Sequence, residues 1–358
     1  MVNRPAFNGS YASLVPQSGA QFLDMELPAE KNERSLVFKF YEEESFADNK
    51  NLFSRLFLVE EDENGELIKI DDGERVDPDR VYSVNFKKAL ELYSGHWMPL
   101  PYLRSQGQGF AQGPQLWSRV FITPRDIEDE YDVTLAFDTT VSEDTTGSWA
   151  TLTPDDRILD LAHQLKSNSF LLHHEWMRDW LHRIYEIGIE NRAVHRQRTA
   201  NEEYAKCAHW AYFLVFLNGL KTRVEVPEIK ILDTSNPHLH IKEIDFVVDI
   251  GNSRTCGLLI ERPDTPSNVN LSAATLELRD LTRPHLVNDE PFRSRMEFRS
   301  AKLHGIDPAL CKRAGVSRPM MWPSAARIGP EAEFLNSHTD GSEGSTGLSG
   351  PKRYLWDH

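Results

Sequence analysis

The sequence predicts an α+β multidomain chain: a β-rich domain near the N-terminus, a small helical bundle, and an α/β lobe at the C-terminal end. Three observations carry this. Short runs rich in Val, Ile, Phe and Leu crowd residues 35–137, separated by turn residues. From Thr153 the apolar spacing changes to three and four, the period of a helix. From Asp245 two apolar runs flank a small polar tip that contains glycine.

The elements follow in order. Residues 1–30 lack periodicity and read as a lead-in. Ser35–Tyr41, Arg55–Glu60, Glu66–Ile70, Val81–Phe86, Trp117–Thr123 and Tyr131–Phe137 read as strands, forming a β-rich domain over 31–140. Asn64-Gly65 is a hairpin signal and Asp71-Asp72-Gly73 a second turn. Arg104–Gly113 reads as a loop. Trp97, Tyr102 and Trp117 could line a groove, or serve as core and rim. Thr139–Ser148 is a polar linker. Thr153-Pro154 then starts a helix, with Thr as cap and Pro at the first helical position. Apolar stripes through Leu161 and Leu165, through Trp176, Trp180 and Ile184, and through Ala208, Ala211 and Val215 predict a three-helix bundle over 151–220. Val224–Leu232 reads as a strand leading into the C-terminal lobe, 240–358.

Composition narrows the class. Of 358 residues, 40% are hydrophobic and 27% charged, an ordinary soluble composition long enough for two or three domains. Cys207, Cys256 and Cys311 are widely spaced and odd in number, which indicates neither a disulfide framework nor a zinc site and fits a cytoplasmic location. The N-terminus has no secretory core, and the longest apolar stretch, Trp210–Leu217, is too short to span a bilayer and reads as a buried helix. Net charge is −15, concentrated early: residues 1–150 hold 14 basic and 27 acidic side chains. That argues against nucleic acid and anionic membranes as partners of this part and says little else; an unidentified protein is the expected partner.

Two clusters invite chemistry. His173-His174-Glu175 suggests a metal, but a zinc-protease helix needs histidines four apart, and Arg178 stands at that position. Helix-surface histidines are the simpler reading. Arg192, His195, Arg196 and Arg198 form a basic cluster, either a solvated face or a patch for an acidic partner.

The hairpin carries the sharper signal. Phe246–Ile250 leads into Gly251-Asn252-Ser253-Arg254, and Cys256–Ile260 leads out, with Asp249 at the mouth of the turn. Such a turn can aim several N–H groups at one phosphate. A neighbouring carboxylate can hold hydrated magnesium.

Asp-x-Gly-x-Ser between two strands resembles the first phosphate loop of the actin, Hsp70 and sugar-kinase ATPase superfamily, whose nucleotide domain is ribonuclease H-like. Two later stretches resemble chaperone elements in the same order: Trp322–Ala332, with its Ile328-Gly329 turn into a helix, and Gly350-Pro351-Lys352-Arg353-Tyr354-Leu355. Residues 240–358 are also similar to the SrfB family of bacterial virulence factors, through the Asp249–Gly257 loop and the closing Pro351–Asp357 segment. The superfamily resemblance implies ATP and Mg2+ as cofactors. Asp249 would face magnesium through water. Gly251 and Asn252 would offer N–H groups to phosphate, with the Ser253 hydroxyl nearby. Lys352 would be the catalytic lysine beside the γ-phosphate, acting by charge. Asn252 and Arg254 depart from the usual pattern, and Pro263–Asn270 and Leu303–Pro319 look like insertions.

That fold needs a second lobe with another phosphate hairpin and a Gly-rich adenosine loop. No second hairpin of this kind follows, and Gly341–Gly350 reads as a loop. The chain thus reads as the first part of a longer nucleotide-binding protein, not expected to turn over ATP alone. The other reading is a non-enzymatic interaction or scaffold protein that acts through its N-terminal domains.

Overall fold

A computed structural model describes residues 6–7, 11–16, 18–32, 36–47, 51–100, 103–105, 118–138, 149–151, 181–186, 188–189, 205–224, 226–232, 243–262, 272–297, 326–337, 348–350 and 352. It is a mixed α/β structure, mostly strands with few helices. The chain divides into two compact units. The larger comprises Pro5–Leu232 and His304–Pro319; the smaller comprises Met1–Arg4, Asp233–Leu303 and Met320–His358.

In the larger unit the strands are β1 (Ala6–Phe7), β2 (Tyr11–Leu14), β3 (Ala20–Leu27), β4 (Val37–Ala47), β5 (Asn51–Glu61), β6 (Leu67–Lys69), β7 (Val81–Asn85), β8 (Met98–Pro99), β9 (Leu103–Ser105), β10 (Ser118–Pro124), β11 (Tyr131–Asp138), β12 (Trp149–Thr151) and β13 (Glu228–Ile231). The helices are α1 (Ala29–Asn32), α2 (Phe86–Tyr93) and α3 (Ala208–Gly219). Strands β6-β5-β4-β7 form one antiparallel sheet, and β3-β11-β10-β8 a second. The Asn64-Gly65 turn closes β5 onto β6, with the Gly65 N–H donating to the Asp62 carbonyl.

Two expectations change here. Residues 20–27, expected as lead-in, form β3 and pair along their length with β11. Residues 208–219, expected in the helical bundle, form a buried helix within the same unit. Helix α3 is apolar round its whole circumference, and ten of its twelve residues are buried. It packs on α2 and against β7. The rest of the expected bundle, including Leu165, Trp176 and Trp180, lies outside the described residues; residues 181–186 are helical. Helix α2 was not expected, although Phe86, Ala89, Leu90 and Tyr93 share one buried face and Asn85 caps the N-terminus by accepting from the Lys88 N–H.

Glu42 ties strand to helix. Its buried carboxylate accepts from the Tyr82 hydroxyl at 2.7 Å, the Cys207 N–H at 2.8 Å and the Lys206 N–H at 2.9 Å. Cys207, at the N-cap of α3, makes no side-chain capping bond, so an acid from β4 supplies the cap.

Trp97 is buried and packs edge-on against Phe121, a core position and not a groove wall. Tyr102, Trp117, the His173-His174-Glu175 cluster and the basic cluster at 192–198 lie outside the described residues.

In the smaller unit, β14 (Ile244–Ile250), β15 (Arg254–Glu261) and β16 (Ser272–Thr275) form a sheet. Strands β17 (Leu278–Arg279) and β18 (Val287–Asn288) pair with each other. Strand β19 (Phe292–Arg293) joins β15, and β20 (Arg295–Glu297) pairs with both β21 (Arg327–Ile328) and β22 (Leu348–Ser349). Helix α4 (Gly329–Ser337) starts directly after β21 and packs on β20. Leu348 and Ser349, expected within the Gly-rich loop, are therefore strand.

Candidate functional site

The hairpin forms as its pattern dictates: β14 and β15 pair from Ile244↔Glu261 to Ile250↔Thr255. Gly251 closes it, its N–H donating to the Arg254 carbonyl at 2.9 Å. A Cβ at 251 would run into that same carbonyl oxygen, so the closure requires glycine.

This settles which donors the tip can offer. The Gly251 N–H is engaged inside the turn. Asn252 and Ser253 are exposed, and no described residue takes their N–H groups. Asp249 is exposed, directly opposite Cys256, and no described cation pairs with it. Two N–H groups, a hydroxyl and an uncommitted carboxylate suit a phosphate with a hydrated divalent cation.

Ser294, between β19 and β20, holds the tip in place. Its N–H donates to the Ser253 carbonyl at 3.0 Å, and its hydroxyl donates to the Gly251 carbonyl at 2.7 Å. A serine hydroxyl has one proton, so Thr255, 2.8 Å away, donates to Ser294. The Ser294 carbonyl accepts from the Gly350 N–H at 2.8 Å. Buried Ser294 thus binds the hairpin tip on one side and the start of the Lys352 segment on the other. Lys352 is half-buried in a helical turn two residues beyond Gly350.

The Ile328-Gly329 turn joins the same assembly. Ile328 pairs with Met296, two residues beyond Ser294. Gly329 adopts φ +62°, and a Cβ there would meet the Phe292 ring at 2.8 Å. The three motifs, separated in sequence, therefore converge on residues 292–296. Ser294 is the residue the sequence reading missed: a serine in a polar stretch gives no periodic or spacing signal.

The smaller unit also holds a buried charged cluster. Asp280 accepts from the Thr282 N–H and hydroxyl and from the Arg283 N–H and Nε. Arg327 and Glu331 are both buried and approach to 3.4 Å, an ion pair without a hydrogen bond, since Arg327 Nε and Nη2 have no hydrogen-bond partner. Burial pushes the Glu331 carboxyl up to about 7; Arg327 lowers it and the Asp280 charge raises it. Burial also lowers Arg327. Among the described residues no group of His, Cys, Asp and Glu is arranged to hold a metal ion, and no helix is long and apolar enough to cross a membrane.

A family model described as Virulence factor SrfB matches residues 5–358. No curated protein and no solved structure matches the chain.

Proposed function

The chain belongs to the SrfB family, and from that footing we propose that the hairpin tip of the smaller unit is a phosphate-binding half-site of an actin/Hsp70-like ATP-binding module. The observation that carries this is Ser294, which bonds the tip at Gly251 and Ser253 and the Lys352 segment at Gly350. An uncommitted turn held this firmly suits binding better than a plain hairpin end does. The N–H groups of Asn252 and Ser253, with the Ser253 hydroxyl, would hold a phosphate. Gly251 would act by shape, closing the turn. Asp249 would hold magnesium through water, and the metal would supply charge neutralisation. Lys352 would add positive charge from the facing segment.

The donors assigned among the described residues would serve phosphate rather than base or ribose, so weak Mg·ATP binding without turnover is expected. Calorimetric titration of Mg·ATP into the chain, with Asp249→Ala as control, tests the reading. Magnesium-dependent phosphate release by the chain alone would contradict the absence of turnover.

A further inference from the structure

Strand β14 leaves an edge and two faces open. The Gly251 N–H bonds to the Arg254 carbonyl and the Arg262 N–H to the Glu243 carbonyl, which fixes hydrogen-bonded pairs at both ends of the β14–β15 ladder. Such pairs alternate in an antiparallel ladder. Asp245, Val247 and Asp249 therefore turn their backbone groups towards β15. Ile244, Phe246, Val248 and Ile250 turn theirs outward, to an edge that no described strand occupies. The same four residues place their side chains on one face, and all four are between 38% and 57% exposed. Val247 and Leu258 are exposed on the other face. A continuous apolar run on an unpaired edge marks a strand that works inside a wider sheet.

A second copy of the chain fits this edge poorly. Antiparallel pairing centred on Val247 would set Asp245 against Asp249 and leave the apolar faces bare. Stacking two such sheets face to face would bury roughly 800 Å² in total, estimated from strand spacing and rise, against about 1,200 Å² for the smaller stable interfaces. The charges point elsewhere. Asp245 is neutralised by Arg262, at 2.6 Å and 2.9 Å, whereas no described cation pairs with Asp249.

We propose that β14 is a strand-addition site. Its occupant is an extended segment of another polypeptide, apolar at alternate positions to cover Ile244, Phe246, Val248 and Ile250, with a lysine or arginine on the opposite face beside Asp249. Backbone pairing supplies the affinity, and the alternation and the basic residue supply the selectivity. The backbone pairing does not require a nucleotide, but Asp249 is shared with the proposed phosphate site, so bound magnesium and the segment's basic residue would compete for it.

The test uses a fluorescein-labelled peptide, Thr-Val-Lys-Val-Lys-Val-Thr, and the full 358-residue chain. Fluorescence anisotropy reads affinity, and hydrogen exchange with mass spectrometry reads protection of residues 244–250. The expected result is saturable binding with added protection at Ile244, Phe246, Val248 and Ile250. Methylating the three Val amides of the peptide lowers affinity by about tenfold or more, with the protein unchanged. Val248→Pro does the same, because the Val248 N–H takes no part in the β15 ladder. No binding at millimolar peptide, or equal binding of the methylated peptide, overturns the proposal.

Discussion

The Ser294 hydroxyl donates to the Gly251 carbonyl at 2.7 Å across 43 residues of sequence. Neither residue signals the other in the sequence, yet this bond ties the tip to the β19–β20 connection. Ser294→Ala removes it and strands the Thr255 hydroxyl. A loss of about 1–3 kcal/mol in the stability of the smaller unit is expected by urea denaturation, with faster exchange of the Gly350 amide. Ser294→Thr keeps the donor and restores most of that loss if the bond is the cause.

Gly329→Ala meets two obstacles at once, a left-handed backbone and the Phe292 ring. A destabilisation of about 1–3 kcal/mol is expected. Adding Phe292→Leu removes the crowding and leaves the backbone strain, so the double variant recovers only part of the stability. Full recovery would locate the whole cost in packing.

Glu42 caps α3 from another element of the larger unit. Glu42→Gln keeps one acceptor oxygen and leaves the part-buried Lys206 N–H or the buried Cys207 N–H facing an amide donor. A cost of about 1–3 kcal/mol follows. Tyr82→Phe removes one of the three bonds and costs about 1 kcal/mol. Additive losses in the double variant would show that these bonds do not act together.

Glu331 makes the smaller unit sensitive to pH. Its carboxyl titrates near 7 when folded, chiefly through burial, and near 4.5 when unfolded. The folded state therefore holds the proton more tightly. The stabilising contribution is complete below about pH 4.5 and is lost as pH rises through about 7, a change of about 3 kcal/mol. Glu331→Gln cannot titrate, so the stability of the variant should fall less steeply than wild type over this range. Parallel profiles would place the titration elsewhere.

What the sequence disclosed and what it hid have physical causes. The hairpin 244–261 was legible because two strand-length apolar runs and a glycine-containing tip agree locally. So was the strand-to-helix turn at Ile328-Gly329. Strand β3 was not, because its burial alternates imperfectly: Gln21 and Phe22 are both buried. Helix α3 was legible as a buried helix but its neighbours were not, since which elements surround it is decided by β4, β7 and α2. The candidate residues Asp249, Asn252 and Ser253 were visible as turn chemistry. Engagement of the Gly251 N–H and the bridging by Ser294 depend on contacts between remote segments, which no local pattern encodes.

The phosphate reading meets its most direct test in calorimetric titration of the chain with Mg·ATP, repeated with Asp249→Ala and without magnesium. It predicts weak saturable binding that drops about tenfold or more in either control. Binding indifferent to Asp249 and to magnesium, or no heat at millimolar nucleotide, would contradict it.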